Sequence, residues 1–401
     1  MSDGHRETAT VHAGKLSLPL NAASSPPLFQ ASSYEFEDLA EVEATYSGAK
    51  KGAIYGRYGG PNGLQFEAAV AELEGAEAAV GAAAGMSAIH AALGSNLVAG
   101  SALLATREIY GGTYALLEND YRRAGISVAF VDQQDLAAVE AALAEVRPAV
   151  LYVEALTNPL MNVADLPALA RLARAYDALL IVDATFATPL LCRPLEHGAG
   201  LVVHSVGKYI GGHGDVGAGV VAGSAVLVGP IRAQLVRTGA TIPHFEAWLA
   251  LRGLRTLALR MERHSSNANA VASFLRSEPA VTAVHHPSQR SGAVLRRAIE
   301  LYPNGWGGIV AFDLAGGAGA VETFLRGLRT IAIVHSLGEV ATTISYPAVS
   351  SHRSLSPEAR RALGVSDATL RVSVGIEHPD DIVADLARGF AAAGLAGRLR
   401  A

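Results

Sequence analysis

The chain has 401 residues, half of them hydrophobic, a formal net charge of -5 and a single cysteine, Cys192. This length can bury a core large enough for two domains, and the charge balance excludes the basic footprint that nucleic acid or an anionic membrane requires. One cysteine excludes an intramolecular disulfide and a cysteine-rich metal site. Without an apolar signal core or a membrane-length apolar run, the sequence predicts a soluble, cytoplasmic protein.

The first 60 residues look irregular, with a proline pair and many aromatic residues, and we interpret them as an N-terminal arm for subunit contacts. A helix is then predicted over 64–74, ending at Gly75. From residue 78 short apolar runs alternate with amphipathic segments, the pattern of β-α units and a mostly parallel sheet. The predicted strands are 78–82, 102–105, 128–131, 150–153, 179–182, 201–204 and 216–222, and helices are predicted over 88–93, 135–146 and 165–178.

The alternation of apolar runs and amphipathic segments stops near residue 243, and a long helix is predicted over 245–264. The later strands are sparser, over 281–285, 308–314, 330–334 and 370–374, with helices over 321–326 and 379–393. The sequence therefore predicts an arm (1–60), a large domain (61–244) and a smaller C-terminal α+β domain (245–401).

Lys208 is the first candidate for chemistry, because it follows the apolar run 201–203 in a glycine-rich loop that also contains Ser205. Burial lowers the pKa of a lysine amine and leaves a nucleophile able to form a Schiff base with an aldehyde. Asp183 ends the preceding predicted strand, at the sheet edge where ligands of α/β proteins bind. An acid against a pyridine nitrogen, together with such a lysine, is what pyridoxal phosphate needs. Taken singly, Lys208 is more readily explained as a surface loop lysine, and a helix cap or turn residue explains Asp183 equally well.

Two further segments can complete a cofactor site. Gly85 and Met86 lie between a predicted strand and helix, where free backbone N–H groups favour an anion such as phosphate, although ordinary β-α turns look alike. Tyr110 precedes a diglycine, so its ring can lie against a planar cofactor and its phenol can transfer a proton, or it can be a packed core tyrosine.

The amino-acid substrate has its own candidates. Asn158 forms a turn with Pro159, and its amide can hydrogen-bond a ligand. Arg371 lies in an otherwise apolar strand and requires an anionic partner, either a substrate carboxylate or a structural ion pair.

In this ordered set of motifs the chain resembles the PLP-dependent Cys/Met metabolism (transsulfuration) family over nearly its full length. The resemblance is carried by these segments: 7–14, Tyr55-Gly56-Arg57, 73–75, 84–86, 110–113, Val182-Asp183, His204-Ser205, 208–210, 212–215, 251–257, Ser336-Leu337-Gly338 and 371–377.

The resemblance implies a type I PLP-dependent transferase fold, like that of aspartate aminotransferase, and a homotetramer of two tight dimers. It implies that Lys208 links the cofactor, Asp183 faces its ring nitrogen and Tyr110 stacks on the ring. The phosphate would be held by Gly85, Met86 and Ser205, and by Tyr55 and Arg57 of the neighbouring subunit. Asn158, Ser336 and Arg371 would contact the cofactor oxygen or the substrate carboxylate.

The implied activity is loss of a γ-substituent from a sulfur amino acid, with cystathionine γ-lyase activity expected first. The alternatives are γ-replacement, as in cystathionine γ-synthase or O-acylhomoserine sulfhydrylase, and methionine γ-lyase activity. Lys208 and Tyr110 would serve as base and acid in each of these reactions.

The chain departs from the family pattern at positions that bear on substrate choice. Gly207 stands where Thr is usual, and Gly60-Pro61-Asn62 where Asn-Pro-Thr is usual. Gly112 stands where methionine γ-lyases carry Cys. His335 and Ala341 stand where cystathionine enzymes commonly carry Glu.

Two readings from other functional classes remain. A metal-dependent hydrolase would use His204, His213 and Asp215, although their spacing lacks a helical ligand pair. The second alternative is a binding or regulatory protein that has lost catalysis, and the retained Lys208 and Asp183 argue against it.

Overall fold

The structure, a computed structural model, describes residues 5–14, 23–353 and 355–395. Within these residues the chain forms two sheets, the larger with seven strands and the smaller with five. No helix in these ranges combines the length and the apolar character that crossing a membrane requires.

The larger sheet is mostly parallel, as predicted. Its strand order is β1-β7-β6-β5-β4-β2-β3, in which β7 is antiparallel to both of its neighbours and the others run parallel from β6 to β3. The strands are β1 (Ala78–Ala82), β2 (Ala102–Thr106), β3 (Ser127–Val131), β4 (Val150–Glu154), β5 (Leu179–Asp183), β6 (Leu201–Ser205) and β7 (Gly219–Gly223).

Both faces of this sheet are buried, because successive side chains of a strand enter different cores. Leu180 and Val182 of β5 belong to one hydrophobic cluster and Ile181, between them, to the other. Apolar residues on every position of a strand are therefore expected for a sheet covered by helices on both sides. The carboxyl ends of β4, β5 and β6 come together at one edge.

The helices around the larger sheet begin and end at recognisable residues. Asp165 caps α7 by accepting the N–H of Ala168, and Gly75 ends α3 in the left-handed region with φ 68°. They are α1 (Arg6–His12), α2 (Leu39–Tyr46), α3 (Pro61–Glu74), α4 (Gly85–Gly94), α5 (Gly111–Ala115, continued by a π-helical segment, Leu116–Tyr121), α6 (Leu136–Val146), α7 (Leu166–Ala175), α8 (Thr188–Leu191) and α9 (Ala225–Thr238).

Three predictions for this half of the chain were wrong in detail. The arm, predicted as irregular, contains α1 and α2 within its described residues. The strand predicted over 216–222 begins only at Gly219 of β7, because residues 206–218 form the loop that carries Lys208. The helix α9 was not predicted, since its apolar residues are interrupted by Gly229 and Pro230.

The long helix predicted over 245–264 is in fact two helices, α10 (His244–Leu254) and α11 (Leu257–Ser277). The N–H groups of Arg255 and Thr256 bond to carbonyls three residues earlier, which tightens and ends α10. Thr256 then takes a non-helical conformation, φ -113° and ψ 7°, and α11 starts at Leu257. The helix α11 packs on the smaller sheet through β8 and β9.

The smaller sheet, with order β10-β11-β12-β9-β8, forms the second domain around its own core. Phe324 lies between Phe312 and Phe390, at ring-centre distances of 5.8 and 4.9 Å. The strands are β8 (Val281–His285), β9 (Ile309–Leu314), β10 (Ala332–Ile333), β11 (Thr343–Ser345) and β12 (Thr369–Ser373), and the helices are α12 (Gly292–Leu301), α13 (Gly317–Gly327), α14 (Pro357–Ala362) and α15 (Pro379–Ala392). Of these, β11, α12 and α14 were not predicted.

Candidate active site

A cavity of about 200 Å³ opens at the carboxyl ends of β4, β5 and β6, next to the start of α4 and the smaller sheet. Parallel α/β sheets bind ligands at this edge. Most of the residues singled out from the sequence line it: Gly85, Met86, Tyr110, Asn158, Asp183, Ser205, Lys208 and Arg371. Ser336 joins them through a hydrogen bond with Lys208.

Lys208 lies in the turn that follows β6, and its amine donates to Oγ of Ser336 at 3.0 Å. Burial lowers the pKa of this amine, and the positive charge of Arg371 lowers it further. The nearby Glu339 carboxylate acts in the opposite direction and is the weaker influence. The neutral, nucleophilic form of this amine is therefore easier to reach in the folded protein than in a free lysine side chain.

The loop after Lys208 is held by Arg260 of α11, which the sequence analysis did not single out. Its Nη1 donates to the carbonyl of Tyr209 at 2.5 Å, and its Nη2 to those of Ile210 at 3.3 Å and Gly253 at 2.8 Å. Burial lowers the pKa of Arg260 to about 10, and all these acceptors are backbone oxygens. One guanidinium thus fixes the two residues next to the lysine.

Asp183 is the last residue of β5, and its carboxylate is fixed by two donors. The Tyr152 hydroxyl donates to Oδ2 at 3.2 Å, and the N–H of Thr185 donates to Oδ1 at 2.9 Å. Hydrogen bonds of this kind stabilise the charged form of a carboxylate. The two donors therefore hold the Asp183 side chain in place at the cavity wall.

An anion site lies at the start of α4, where Gly85 and Met86 begin a ten-residue helix. The helix approaches β6 so closely that a Cβ on Gly85 would lie 2.7 Å from Oγ of Ser205. Free N–H groups at a helix start and a neighbouring hydroxyl suit a phosphate group. Thr185, whose hydroxyl accepts the N–H of Ser205 at 2.9 Å, lines the same part of the cavity.

Arg371 of β12 reaches the cavity from the smaller sheet and is 3% exposed. Its Nη1 donates to Oδ1 of Asn158 at 2.9 Å and its Nη2 to the carbonyl of Ser336 at 3.2 Å. Among the described residues no carboxylate pairs with it, and its Nε has no partner. Burial lowers the pKa of Arg371 to about 10. An unpaired buried guanidinium suits the carboxylate of an amino acid.

Tyr110 precedes α5, lines the cavity and is 43% exposed as a residue. Its backbone N–H donates to Oε1 of Glu154 at 2.6 Å. Glu154 is the last residue of β4 and the register partner of Asp183 on β5. Sequence reasoning noted the end of this strand but not the acid, although two acids ending neighbouring parallel strands were a usable signal.

Tyr55 and Arg57 are not brought to this cavity. They line a separate, open cavity of about 480 Å³ beside His244, and Nη1 of Arg57 donates to the carbonyl of Val236 at 2.9 Å. Within one chain they therefore stay apart from Lys208.

The departures from the family pattern have local explanations. A Cβ on Gly207 would collide with the carbonyl of Val216, so the loop as folded has no room for a threonine there. His335 lines the cavity, whereas Ala341 is exposed and does not.

The metal-site hypothesis finds no support in the geometry. His204 lies 2.5 Å from the buried carboxylate of Glu74, and Nδ1 of His213 lies 2.8 Å from the carbonyl of Gly211. In the part of the chain that the structure describes, no three His, Cys, Asp or Glu side chains are grouped so as to hold a metal ion.

The cavity combines an amine of lowered pKa, a fixed carboxylate and an anion site at a helix start. Pyridoxal phosphate carries an aldehyde, a ring nitrogen that can hold a proton and a phosphate, so the residues fit this cofactor group by group. Arg371 provides a further place for a carboxylate.

Comparisons with known proteins agree with this chemistry. The family model described as Cys/Met metabolism PLP-dependent enzyme matches residues 7–391. O-succinylhomoserine sulfhydrylase of Pseudomonas aeruginosa is 41% identical over 389 residues, covering 96% of this chain and 95% of that protein. L-methionine γ-lyase of Pseudomonas putida is 39% identical, covering 96% and 97%.

Among solved structures, cystathionine γ-synthase from Xanthomonas oryzae pv. oryzae, in complex with aminoacrylate and cysteine, superposes with a TM-score of 0.92 at 34% identity. That match covers 98% of this chain and 99% of the other. The type I fold, the dependence on pyridoxal phosphate and the carbon-sulfur chemistry expected from the sequence are confirmed. The chain belongs to the Cys/Met metabolism family of PLP-dependent enzymes.

Proposed function

We propose that this enzyme replaces the γ-substituent of an O-acylhomoserine with a sulfur nucleophile, using the cavity around Lys208. The observation that carries this choice is His335, which lines the cavity where cystathionine enzymes commonly carry Glu. A glutamate attracts the distal ammonium of cystathionine, and an imidazole does not. An imidazole can instead donate a hydrogen bond to an acyl oxygen or carboxylate. The similarity to an O-succinylhomoserine sulfhydrylase supports the same choice.

The residues of the cavity have matching roles in this proposal. Lys208 would hold the cofactor through its amine, and the same amine would move protons at Cα and Cβ of the substrate. Asp183 pairs with the ring nitrogen, and Gly85, Met86 and Ser205 hold the phosphate. When bound, pyridoxal phosphate supplies the electron sink that makes these protons removable.

On the substrate side, Arg371 binds the amino-acid carboxylate, and Asn158 and Ser336 keep its guanidinium in place. Tyr110 lies against the cofactor ring, and its phenol donates a proton to the departing γ-group. The half-exposed position of this ring leaves its hydroxyl accessible from the cavity mouth.

Cystathionine γ-lyase activity, expected first from the sequence, uses the same lysine, tyrosine and arginine. The chain provides these groups for either reaction, so the machinery alone does not separate them. What the cavity lacks for cystathionine is the acid at position 335.

A substrate panel separates the candidates. Purified enzyme is given O-succinylhomoserine or O-acetylhomoserine with sulfide or cysteine, and separately cystathionine or methionine, and thioether, thiol and 2-oxobutanoate are measured. We expect kcat/KM for an acylhomoserine to exceed that for cystathionine by at least about tenfold. The reverse order would establish γ-elimination from cystathionine instead, and a preference for methionine would establish a methionine γ-lyase.

Position 335 is tested directly. His335→Glu should shift the preference towards cystathionine by about tenfold, the effect of one good charge interaction. His335→Gln is the matched control, since glutamine has about the size of the other two side chains and removes the imidazole ring without adding a charge. If His335→Glu keeps the wild-type preference between cystathionine and an acylhomoserine, His335 does not support an acylhomoserine as the substrate.

We further propose a homotetramer of two tight dimers, in which Tyr55 and Arg57 reach the phosphate of the neighbouring subunit. Their separation from Lys208 within one chain supports this arrangement. Mixing Lys208→Ala subunits with Arg57→Ala subunits, each inactive alone, should restore part of the activity, because one site per mixed dimer has both residues. No recovery after proven subunit exchange would contradict the shared site.

A further inference from the structure

Glu154 is an acid in the cavity that the proposed reaction does not use. It ends β4 beside Asp183 of β5, lines the cavity and is 4% exposed. No arginine, lysine or histidine of the described residues forms a salt bridge with it. A buried carboxyl without a cationic partner is costly, and the neighbouring Asp183 adds like-charge repulsion.

Both oxygens of Glu154 accept backbone N–H groups. Oε1 accepts from Tyr110 at 2.6 Å, and Oε2 accepts from Asn158 at 3.2 Å. These two residues belong to different loops, one after β2 and the other after β4. The single carboxyl group therefore ties the two loops together at the cavity wall.

The connection extends across the cavity. Asn158 accepts a hydrogen bond from Arg371, so Tyr110, Glu154, Asn158 and Arg371 form one continuous chain of contacts. The carbonyl of Glu154 also accepts from Nε2 of Gln133 at 3.0 Å, which anchors its backbone behind the sheet edge. Burial and the charge of Asp183 raise the pKa of the Glu154 carboxyl well above its usual value.

We propose that Glu154 is a positioning residue, which sets the Tyr110 ring and the Asn158–Arg371 pair relative to Asp183. Its side chain accepts hydrogen bonds from the backbone N–H groups of Tyr110 and Asn158, and it acts through these two residues. The inference rests on the site assigned in the proposed function, but not on the identity of the substrate. Its consequence is that cofactor binding and carboxylate recognition depend on one and the same acid.

The test compares Glu154→Gln with wild type. The near-isosteric amide keeps one acceptor and turns a donor NH2 towards the other N–H, so one of the two loops is released. We expect pyridoxal phosphate to bind the cofactor-free protein about tenfold more weakly, and the pH midpoint of the visible absorbance of the bound enzyme to move. KM for the amino acid should rise together with the fall in kcat.

A matched control is Glu108→Gln, two residues before Tyr110. Glu108 is also a mostly buried carboxyl of raised pKa, and it accepts from Thr157 Oγ1 at 2.7 Å and from Asn162 Nδ2 at 2.8 Å. It does not line the cavity. Glu108→Gln should lower the melting temperature to a similar extent while leaving cofactor affinity and the absorbance midpoint unchanged.

Equal cofactor affinity, absorbance midpoint and KM in Glu154→Gln and Glu108→Gln would show that Glu154 only supports the fold, and would overturn the proposal. Glu154→Asp is the second variant: it keeps the acid but is one methylene shorter, so it reaches only one of the two N–H groups, and it should behave as Glu154→Gln does. A wild-type protein without any cofactor absorbance would instead contradict the proposed function.

Discussion

The ring of Tyr110 lies directly against the backbone of Gly112. A Cβ placed on Gly112 would be 2.6 Å from Cε1 of Tyr110 and 3.2 Å from Sδ of Met86. Real Cβ atoms do not come that close to a ring carbon, so any side chain at position 112 must displace the tyrosine. The glycine that stands where methionine γ-lyases carry Cys therefore determines where the tyrosine ring rests.

Gly112→Ala should consequently move the Tyr110 ring and lower kcat/KM by about tenfold, with little change in the melting temperature, because the ring is half exposed. Steady-state kinetics and thermal unfolding measure both quantities. Gly229→Ala on α9, where a Cβ meets no atom within 4 Å, is the control and should leave kinetics unchanged. Normal kinetics in Gly112→Ala would show that the ring has room elsewhere.

Gly207→Thr, which restores the residue usual in the family, should harm this protein. The added Cβ meets the carbonyl of Val216, and overpacking of this kind costs about 1–3 kcal/mol. We expect a lower free energy of unfolding and weaker cofactor binding, measured by denaturant unfolding and by titration with pyridoxal phosphate. Tighter cofactor binding at unchanged stability would mean that the loop accepts the hydroxyl.

Replacement of Lys208 should stabilise the cofactor-free protein. The pKa of its amine is lowered in the folded state, so at neutral pH burial of the charged amine opposes folding. Lys208→Met should raise the free energy of unfolding by roughly 0.5–2 kcal/mol at pH 7. The difference should shrink as pH rises towards 10.5, the ordinary lysine value, because the unfolded parent then also loses its proton.

Denaturant unfolding at several pH values measures this trend. The exposed Lys51→Met is the control and should show no such pH dependence. A Lys208→Met protein that is less stable than its parent at pH 7 would contradict the inference that burial of the Lys208 amine lowers the free energy of unfolding.

Acid should destabilise the fold partly through His264. Burial lowers its pKa to about 4, below the ordinary 6.5, so its contribution to stability is complete above pH 6.5 and is lost as pH falls towards 4. His264→Asn keeps a donor for the carbonyl of Val374, which Nδ1 contacts at 2.7 Å, but takes up no proton. Its free energy of unfolding should depend less on pH between 6.5 and 4.

The exposed His12→Asn serves as control, and its pH dependence should match that of the parent. An equally steep fall in His264→Asn would assign the acid sensitivity to other groups, such as His286, whose pKa burial lowers to about 3.

The strands that end at Asp183 and Ser205, the second of which precedes the turn with Lys208, were predictable because a sheet buried on both faces leaves short, continuous apolar runs. The polar residue that ends such a run must lie at the ligand-binding edge, and this reasoning located most of the cavity. This reasoning did not single out Glu154, since an acid at a strand end does not by itself reveal from which N–H groups it will accept hydrogen bonds. Arg260 was missed too, because two of its partners are carbonyls 50 and 51 residues away in the chain.

The break between α10 and α11 was not predictable from hydrophobic spacing, since apolar residues continue across Arg255 and Thr256 without interruption. Hydrophobic spacing indicates which face of a helix is buried, but it does not indicate where one helix ends and the next begins. Tyr55 and Arg57 illustrate another limit: one chain shows only that they lie apart from the cavity of Lys208, and their proposed role in a neighbouring subunit can be seen only in an assembled dimer.

The break at Thr256 also bears on motion. The helix α11 begins at Leu257, carries Arg260 in its first turn against the carbonyls beside the lysine, and packs on the smaller sheet, so one helix joins the lysine loop to the second domain. A tilt of the smaller domain about Thr256 would displace Arg260 and the carbonyls of Tyr209 and Ile210 that it contacts. In the proposed reaction, the position of Arg371 in the smaller sheet and the direction of the Lys208 amine would therefore depend on each other through α11.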